Sequence, residues 1–198
     1  MSDITIRQAK RTDAADLAIL DNLAGHSIPL IFWLEQTDND RIEDALALGR
    51  DRLADDDAFY NWKKAKVAIE NDNILGMSIC YIMPDPDEEA EVVKQSSPVF
   101  KPIFELYDES VGHWYIDALA VYPSAQNKGV GKLLFDESLK RGEESGATTM
   151  SLIVEDTNEI AYALYRSYGF EVVGQRDFVP FKGAKEINEW ILMSRSLT

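Results

Sequence analysis

One stretch constrains this chain more than any other: Trp114-Tyr115-Ile116-Asp117-Ala118-Leu119-Ala120-Val121-Tyr122-Pro123-Ser124-Ala125-Gln126-Asn127-Lys128-Gly129-Val130-Gly131. Its apolar first half reads as a strand ending at Val121. Pro123 then breaks it, and Gln126 to Gly131 opens a helix carrying Leu133, Leu134 and Phe135. The first amides of a helix lack intrahelical acceptors, and the aligned peptide dipoles place roughly half a positive charge there. Strand, glycine turn and helix therefore suit an anion, phosphate above all. Gly129 and Gly131 have no Cβ, so backbone can approach such a ligand closely or take a positive φ. Two glycines behind a proline also make an ordinary tight turn, so the spacing has to separate the readings. A G-x-x-x-x-G-K-[ST] loop is excluded because Gly131 is followed by Lys132-Leu133, and a dinucleotide fingerprint because Leu134 stands where it needs a small residue.

A chain of 198 residues is the size of one domain and can bury a sufficient core without staples, so a single domain over 1–198 is expected. The formal charge of −15 argues against a nucleic-acid partner, because phosphate contacts dominate such binding. Charges beyond about 8 Å are largely screened at physiological salt, so Lys128, Lys132 and the helix amides decide locally whether an anion is held. The acidic surplus either attracts cationic amines or serves solubility. The single cysteine, Cys80, excludes an internal disulfide and a thiolate metal cluster, and no metal is expected. No apolar run approaches the roughly 20 residues of a membrane span, and the start lacks a signal-peptide core. A cytoplasmic protein with no membrane partner is the expectation.

Along the chain, Ile4 and Ile6 alternate with polar residues as an edge strand does, and Thr12 before Leu17, Leu20 and Ala24 predicts a capped helix ending at Gly25. His26 to Trp33 is too apolar for a free loop and is broken by Pro29. Arg41 to Leu53 reads as a helix. Lys66 to Glu70 and Ile74 to Met83 read as a hairpin turning at Asn71-Asp72-Asn73. Residues 84–111 are too many for a structureless connection, and Phe100, Ile103, Phe104 and Tyr107 share one helical face. That helical insertion either covers a sheet edge or forms a lid or dimer contact, and a homodimer is the expected assembly. A helix from Lys132 to about Arg141, ending near Gly142 or Gly146, is followed by a strand over Met150 to Val154. Asp156 with Glu159 predicts the cap of a helix carrying Ala161, Leu164, Tyr165 and Tyr168 and stopping at Gly169. Phe170 to Gln175 and Glu189 to Arg195 complete the strands.

Gln126 to Gly131 fits the Q/R-x-x-G-x-G/A signature of the GCN5-related N-acetyltransferases, and the Ile-Asp-Ala-Leu-Ala-Val strand before it is similar to theirs. Asn158, Ala161, Leu164-Tyr165 and Gly169-Phe170 resemble a second pattern of that family, in the right order. The resemblance covers nearly the whole chain except 84–111. It implies an α/β (α+β) fold: a mixed, mainly antiparallel sheet of six to seven strands flanked by about four helices, with the insertion between the third and fourth strands.

The resemblance also implies acetyl-CoA as cosubstrate and a primary amine as acceptor; a small molecule is the favoured acceptor, with a protein amine left open. Backbone of Leu119, Ala120 and Val121 would pair with the pantetheine arm. Gln126, Asn127, Lys128, Gly129, Val130, Gly131 and Lys132 would cradle the pyrophosphate. Asn158 would hydrogen-bond the arm, and Tyr165 would protonate the leaving thiol. The connection after the first helix flanks the acceptor pocket in the family, which makes His26, Trp33 and Glu35 candidates for its wall. Where some members carry a glutamate base, this chain has Tyr115, so the base stays open between Asp117, a water and another residue; His113 is a weaker candidate. Tyr165 also lies on the apolar stripe of its helix, as a core residue would. A CoA-binding domain without turnover is the rival reading, with another acyl-CoA and an interaction module behind it.

Overall fold

A computed structural model describes residues 4–38, 40–86, 94, 97–184 and 186–198. The acidic start of the insertion, 87–93, lies outside the described residues. Seven strands form one sheet in the order β1-β2-β3-β4-β5-β7-β6. Strands β4 and β5 run parallel, while β1–β2, β2–β3, β5–β7 and β7–β6 are antiparallel. Six α-helices occur among the described residues, one more than the four and the helical insertion that the sequence predicts. The chain divides into two compact units, one running up to Cys80 and resuming over Ala118–Lys140, the other made of Tyr81–Asp117 and Arg141–Thr198.

The first unit holds β1 (Thr5–Gln8), α1 (Ala14–Ala24), α2 (Ile28–Leu34), α3 (Ile42–Ala54) and β2 (Ala65–Glu70). It also holds most of β3 (Asn73–Ile82), the end of β4 (Trp114–Val121) and most of α5 (Val130–Glu144). Glu70 pairs with Asn73 across a two-residue turn in which Asn71 and Asp72 have φ of 49° and 65°. Two successive left-handed residues give the twist a tight hairpin needs.

Thr12 does not cap α1. Arg11–Asp13 forms a 3-10 turn, and Asp13 faces backwards to accept from the Lys10 amide at 2.7 Å and from Arg7 at 2.6 and 3.1 Å. Burial alone would raise the Asp13 pKa, but the Arg7 hydrogen bond, the Lys10 amide and the Arg7 charge together lower it.

The apolar stretch around Pro29 is helix α2, an element the sequence reading left unassigned. Proline in the first turn costs no hydrogen bond, because an amide there has no intrahelical partner. Trp33 is buried against α3, where a Cβ on Gly49 would come within 2.7 Å of its ring, so this tryptophan serves helix packing.

The second unit holds the end of β3, α4 (Lys101–Asp108), the start of β4 and the end of α5. Strand β5 (Thr149–Glu155), α6 (Glu159–Ser167), β6 (Glu171–Asp177) and β7 (Glu189–Ser196) complete it. Phe100, Ile103 and Leu106 are the buried side chains of the insertion, while Phe104 and Tyr107 are half-buried. Arg176 on β6 fastens α4, donating to Glu105 at 2.8 Å and to Glu109 at 2.6 Å. A Cβ on Gly174 would meet Glu109 at 2.8 Å and Leu106 at 3.2 Å. The insertion thus covers β6, the last strand of the sheet.

Helix α5 runs through Gly142, whose missing Cβ makes room for Trp114 at 2.7 Å, and its turn comes at Gly146 with φ 83°. Asp156 does not cap α6. Its carboxylate accepts from the Asn188 amide at 3.0 Å, from Asn188 Nδ2 at 2.7 Å and from the Glu189 amide at 3.3 Å, pinning the entry to β7. Asn158 takes the capping position instead.

Candidate functional site

In the first unit, β4 delivers the chain to a 3-10 turn at Pro123–Ala125, then to an open turn over residues 126–129, and α5 starts at Val130. Gln126, Asn127, Lys128 and Gly129 are exposed, and Val130 is buried. Asn127 has φ 61° and Gly129 φ 81°. Left-handed residues spaced this way turn successive N–H groups toward one side, which makes an anion-binding hollow. The amides of Asn127 to Gly131 precede or open α5, where a helix supplies no carbonyl partner of its own. Gln126 makes only a 3.4 Å contact to Pro123 O. A Cβ on Gly129 would meet nothing within 4 Å, so this glycine is required for its φ and not for space around it. These residues fit a diphosphate. Lys132 is committed to Asp136 at 2.7 Å, and Lys128 supplies the other cation in the turn.

Two groups that sequence reading missed hold this turn. The Tyr122 amide donates to Leu75 O at 2.9 Å, and its hydroxyl donates to Asp16 at 2.7 Å. Burial first, then Asp16, raises the Tyr122 pKa, so the hydroxyl keeps its proton. On β3, Gly76 lets β4 come close: a Cβ there would lie 2.5 Å from Ala120 O. Leu119 and Val121 pack around buried Ala68, Ala125, Val130 and Leu134.

The β4–β5 ladder consists of Trp114↔Met150, Tyr115↔Ser151 and Ile116↔Leu152. Leu119, Ala120 and Val121 follow beyond its last pair.

In the second unit, Asn158 Oδ1 accepts from the Ala161 amide at 3.3 Å, and its Nδ2 donates to Glu155 at 3.4 Å. An amide nitrogen carries two hydrogens, so the cap leaves one for a ligand. Tyr165 is half-buried, its ring tilted against Phe170 at 6.1 Å. Burial and, after it, the Glu155 carboxylate raise its pKa, so the phenol is protonated at neutral pH. Glu155 is itself buried and was not singled out from sequence.

Asp117, half-buried, is met by two tyrosine hydroxyls: Tyr81 Oη donates to its Oδ1 at 2.9 Å and Tyr107 Oη to the same oxygen at 3.4 Å. Tyr115 packs beside both, 6.1 Å from Tyr81 and edge-on to Tyr107 at 5.4 Å. Three distant segments therefore converge on one carboxylate, and no spacing rule announces that. His113 sits with Nδ1 3.3 Å from Ser151 Oγ, its pKa lowered by burial. Of the suggested pocket-wall residues, Trp33 is buried in helix packing, Glu35 is exposed, and His26 lies at the α1–α2 junction with φ 48°.

A mixed sheet whose fourth strand runs through a glycine turn into a helix defines an α/β protein. The model of the acetyltransferase (GNAT) family matches residues 29–170, and the chain belongs to that family. A [ribosomal protein bS18]-alanine N-acetyltransferase of Escherichia coli K12 is 35% identical over 69 residues, 34% of this chain and 47% of that protein. The matched stretches span under half the length of the first curated relatives. A crystal structure described as an acetyltransferase superposes with a TM-score of 0.67 at 21% identity, covering 98% of this chain and 100% of the other. YncA of Salmonella typhimurium, a putative acetyltransferase solved with acetyl-CoA, gives 0.58 at 20% identity, covering 100% and 95%. These superpositions speak to the fold.

Proposed function

We propose that the protein transfers the acetyl group of acetyl-CoA to a primary amine, with a small molecule as acceptor. The observation that carries this reading is the turn with left-handed Asn127 and Gly129 at the head of α5, where the first helix amides have no intrahelical partner. The first amides of a helix have no carbonyl of their own helix to donate to, and the aligned dipoles put positive charge there, so such a turn favours an anionic ligand. The backbone of Leu119, Ala120 and Val121, beyond the last β4–β5 pair, would bind the arm of the same molecule.

Acetyl-CoA supplies an activated thioester carbonyl. The amine nitrogen bonds to that carbon, the carbon–sulfur bond breaks, and the amine gives up one proton while the thiol gains one. An alkylamine with pKa near 10 is about 0.1% free base at neutral pH, so the proton needs a destination. Asp117 is the carboxylate we assign to receiving the ammonium group and its proton, directly or through water. Tyr165 donates to the departing sulfur. Its raised pKa suits hydrogen-bond donation to a developing thiolate more than complete transfer, since a free thiol has pKa near 8.5.

Calorimetric titration with acetyl-CoA, followed by thiol release across a panel of amines, tests the reading. Binding with thiol release on a diamine or amino acid supports it. Binding without thiol release on any amine would convert the protein to a CoA-binding regulatory domain. A peptide with a free N-terminal alanine belongs in the panel, because the 35% identity to the bS18-alanine enzyme favours a protein amine as the second reading.

A further inference from the structure

We propose that Tyr81 and Tyr107 are positioning residues for Asp117: one phenol from β3 and one from the insertion helix α4 hold the carboxylate ionised and fixed in direction. The inference rests on the reading of Asp117 as the group that receives the acceptor amine. Both hydroxyls donate to Oδ1, at 2.9 Å from Tyr81 and 3.4 Å from Tyr107. The first distance is that of an ordinary O–H···O bond and the second is longer, so Tyr81 carries the larger share. An ionised carboxylate only accepts, and donors aimed at it favour the charged form over the neutral one.

The two rings do not depend on Asp117 for their placement. Tyr115, buried between them, contacts both, and Phe104 packs on Tyr107 at 5.6 Å. Arg176 anchors the helix that delivers Tyr107 through Glu105 and Glu109. Burial, and next to it Asp117, raises the Tyr81 pKa far up, so at neutral pH it keeps the proton it donates. Among the described residues, the ionisable groups facing Asp117 include Tyr81 from β3, Tyr107 from α4 and Tyr115 from its own strand. His113, further along that strand, faces Ser151. The insertion thereby adds the Tyr107 hydroxyl to the donors that meet Asp117.

Aspartate labelled with 13C at its carboxyl reports the titration of Asp117 without any substrate, the resonance being assigned as the one missing from Asp117→Asn. Tyr81→Phe and Tyr107→Phe each remove a hydroxyl and keep the ring. The Asp117 midpoint should rise by about one pH unit in Tyr81→Phe and by a smaller step of the same sign in Tyr107→Phe. With acetyl-CoA and a linear diamine or an alanine-headed tripeptide as probes, the acid limb of kcat/KM should move by the same steps. Unmoved midpoints in both variants overturn the positioning role, even where turnover falls. Moved midpoints with an unmoved rate profile support the phenol clamp and overturn the assignment of Asp117 to the acceptor, so the two failures are distinguishable.

Discussion

The turn of the first unit and the tyrosine cluster of the second are built from opposite materials. The turn is main chain: exposed, dependent on two left-handed residues, and presenting the first amides of a helix. The cluster is side chain: Tyr81 and Tyr115 are buried, and their order comes from rings wedged around one carboxylate. A main-chain site tolerates many side chains but not a wrong φ. A side-chain site tolerates backbone adjustment but not the loss of a single oxygen.

The largest effect should come from Gly129→Asp, which forces a side chain into φ 81° and sets a carboxylate beside the amides. Acetyl-CoA binding by calorimetry should vanish while the circular dichroism of the fold persists; retained binding would remove the turn from the reading. Tyr165→Phe tests the other side of the contrast. It should lower kcat tenfold or more and leave the acetyl-CoA Kd within threefold, because the lost hydroxyl matters only as sulfur departs. An unchanged kcat would make Tyr165 a packing residue on Phe170.

Next in size is Asp156→Ala, which strips three hydrogen bonds from the entry to β7 and should cost about 1–3 kcal/mol in urea unfolding. Asp156→Asn, which keeps an acceptor, should recover part of that.

Asp13 sharpens the comparison through pH. Its folded pKa lies below the unfolded value near 3.9, so its contribution is complete above about pH 4 and fades as pH falls through the folded value. Urea midpoints of Asp13→Asn should therefore trail wild type at pH 6 by an amount that shrinks toward pH 2. The smallest effect belongs to Arg176→Ala, about 1 kcal/mol or less, because its partners are partly solvated. A loss several times larger would mean that α4 depends on this arginine alone.

How much could be read beforehand follows from the same division. Glycine spacing after an apolar strand is a local signal, and so the turn, the hairpin at Asn71-Asp72 and most element boundaries were legible. Helix α2 was hidden by Pro29, which breaks a helix interior but is harmless in a first turn. Asp156 and Asn158 both suit a cap at their spacing. The choice fell to Asn158 because Asp156 is claimed by Asn188, a residue far along the chain. Thr12 lost its predicted role because Arg11–Asp13 tightens into a 3-10 turn, with Asp13 turned back to Lys10 and Arg7.

By itself, the sequence determined the strand–turn–helix around Gly129, the order of the strands along the chain and membership in an acetyltransferase family, because these depend on neighbours a few residues apart. Tertiary structure alone decided that Tyr81 and Tyr107 meet at Asp117, that Gly76 yields to Ala120, and that α4 lies on β6. Each of those is a contact between segments far apart in the chain. Such contacts are set by which surfaces the fold brings together, and no periodicity in a single stretch records them.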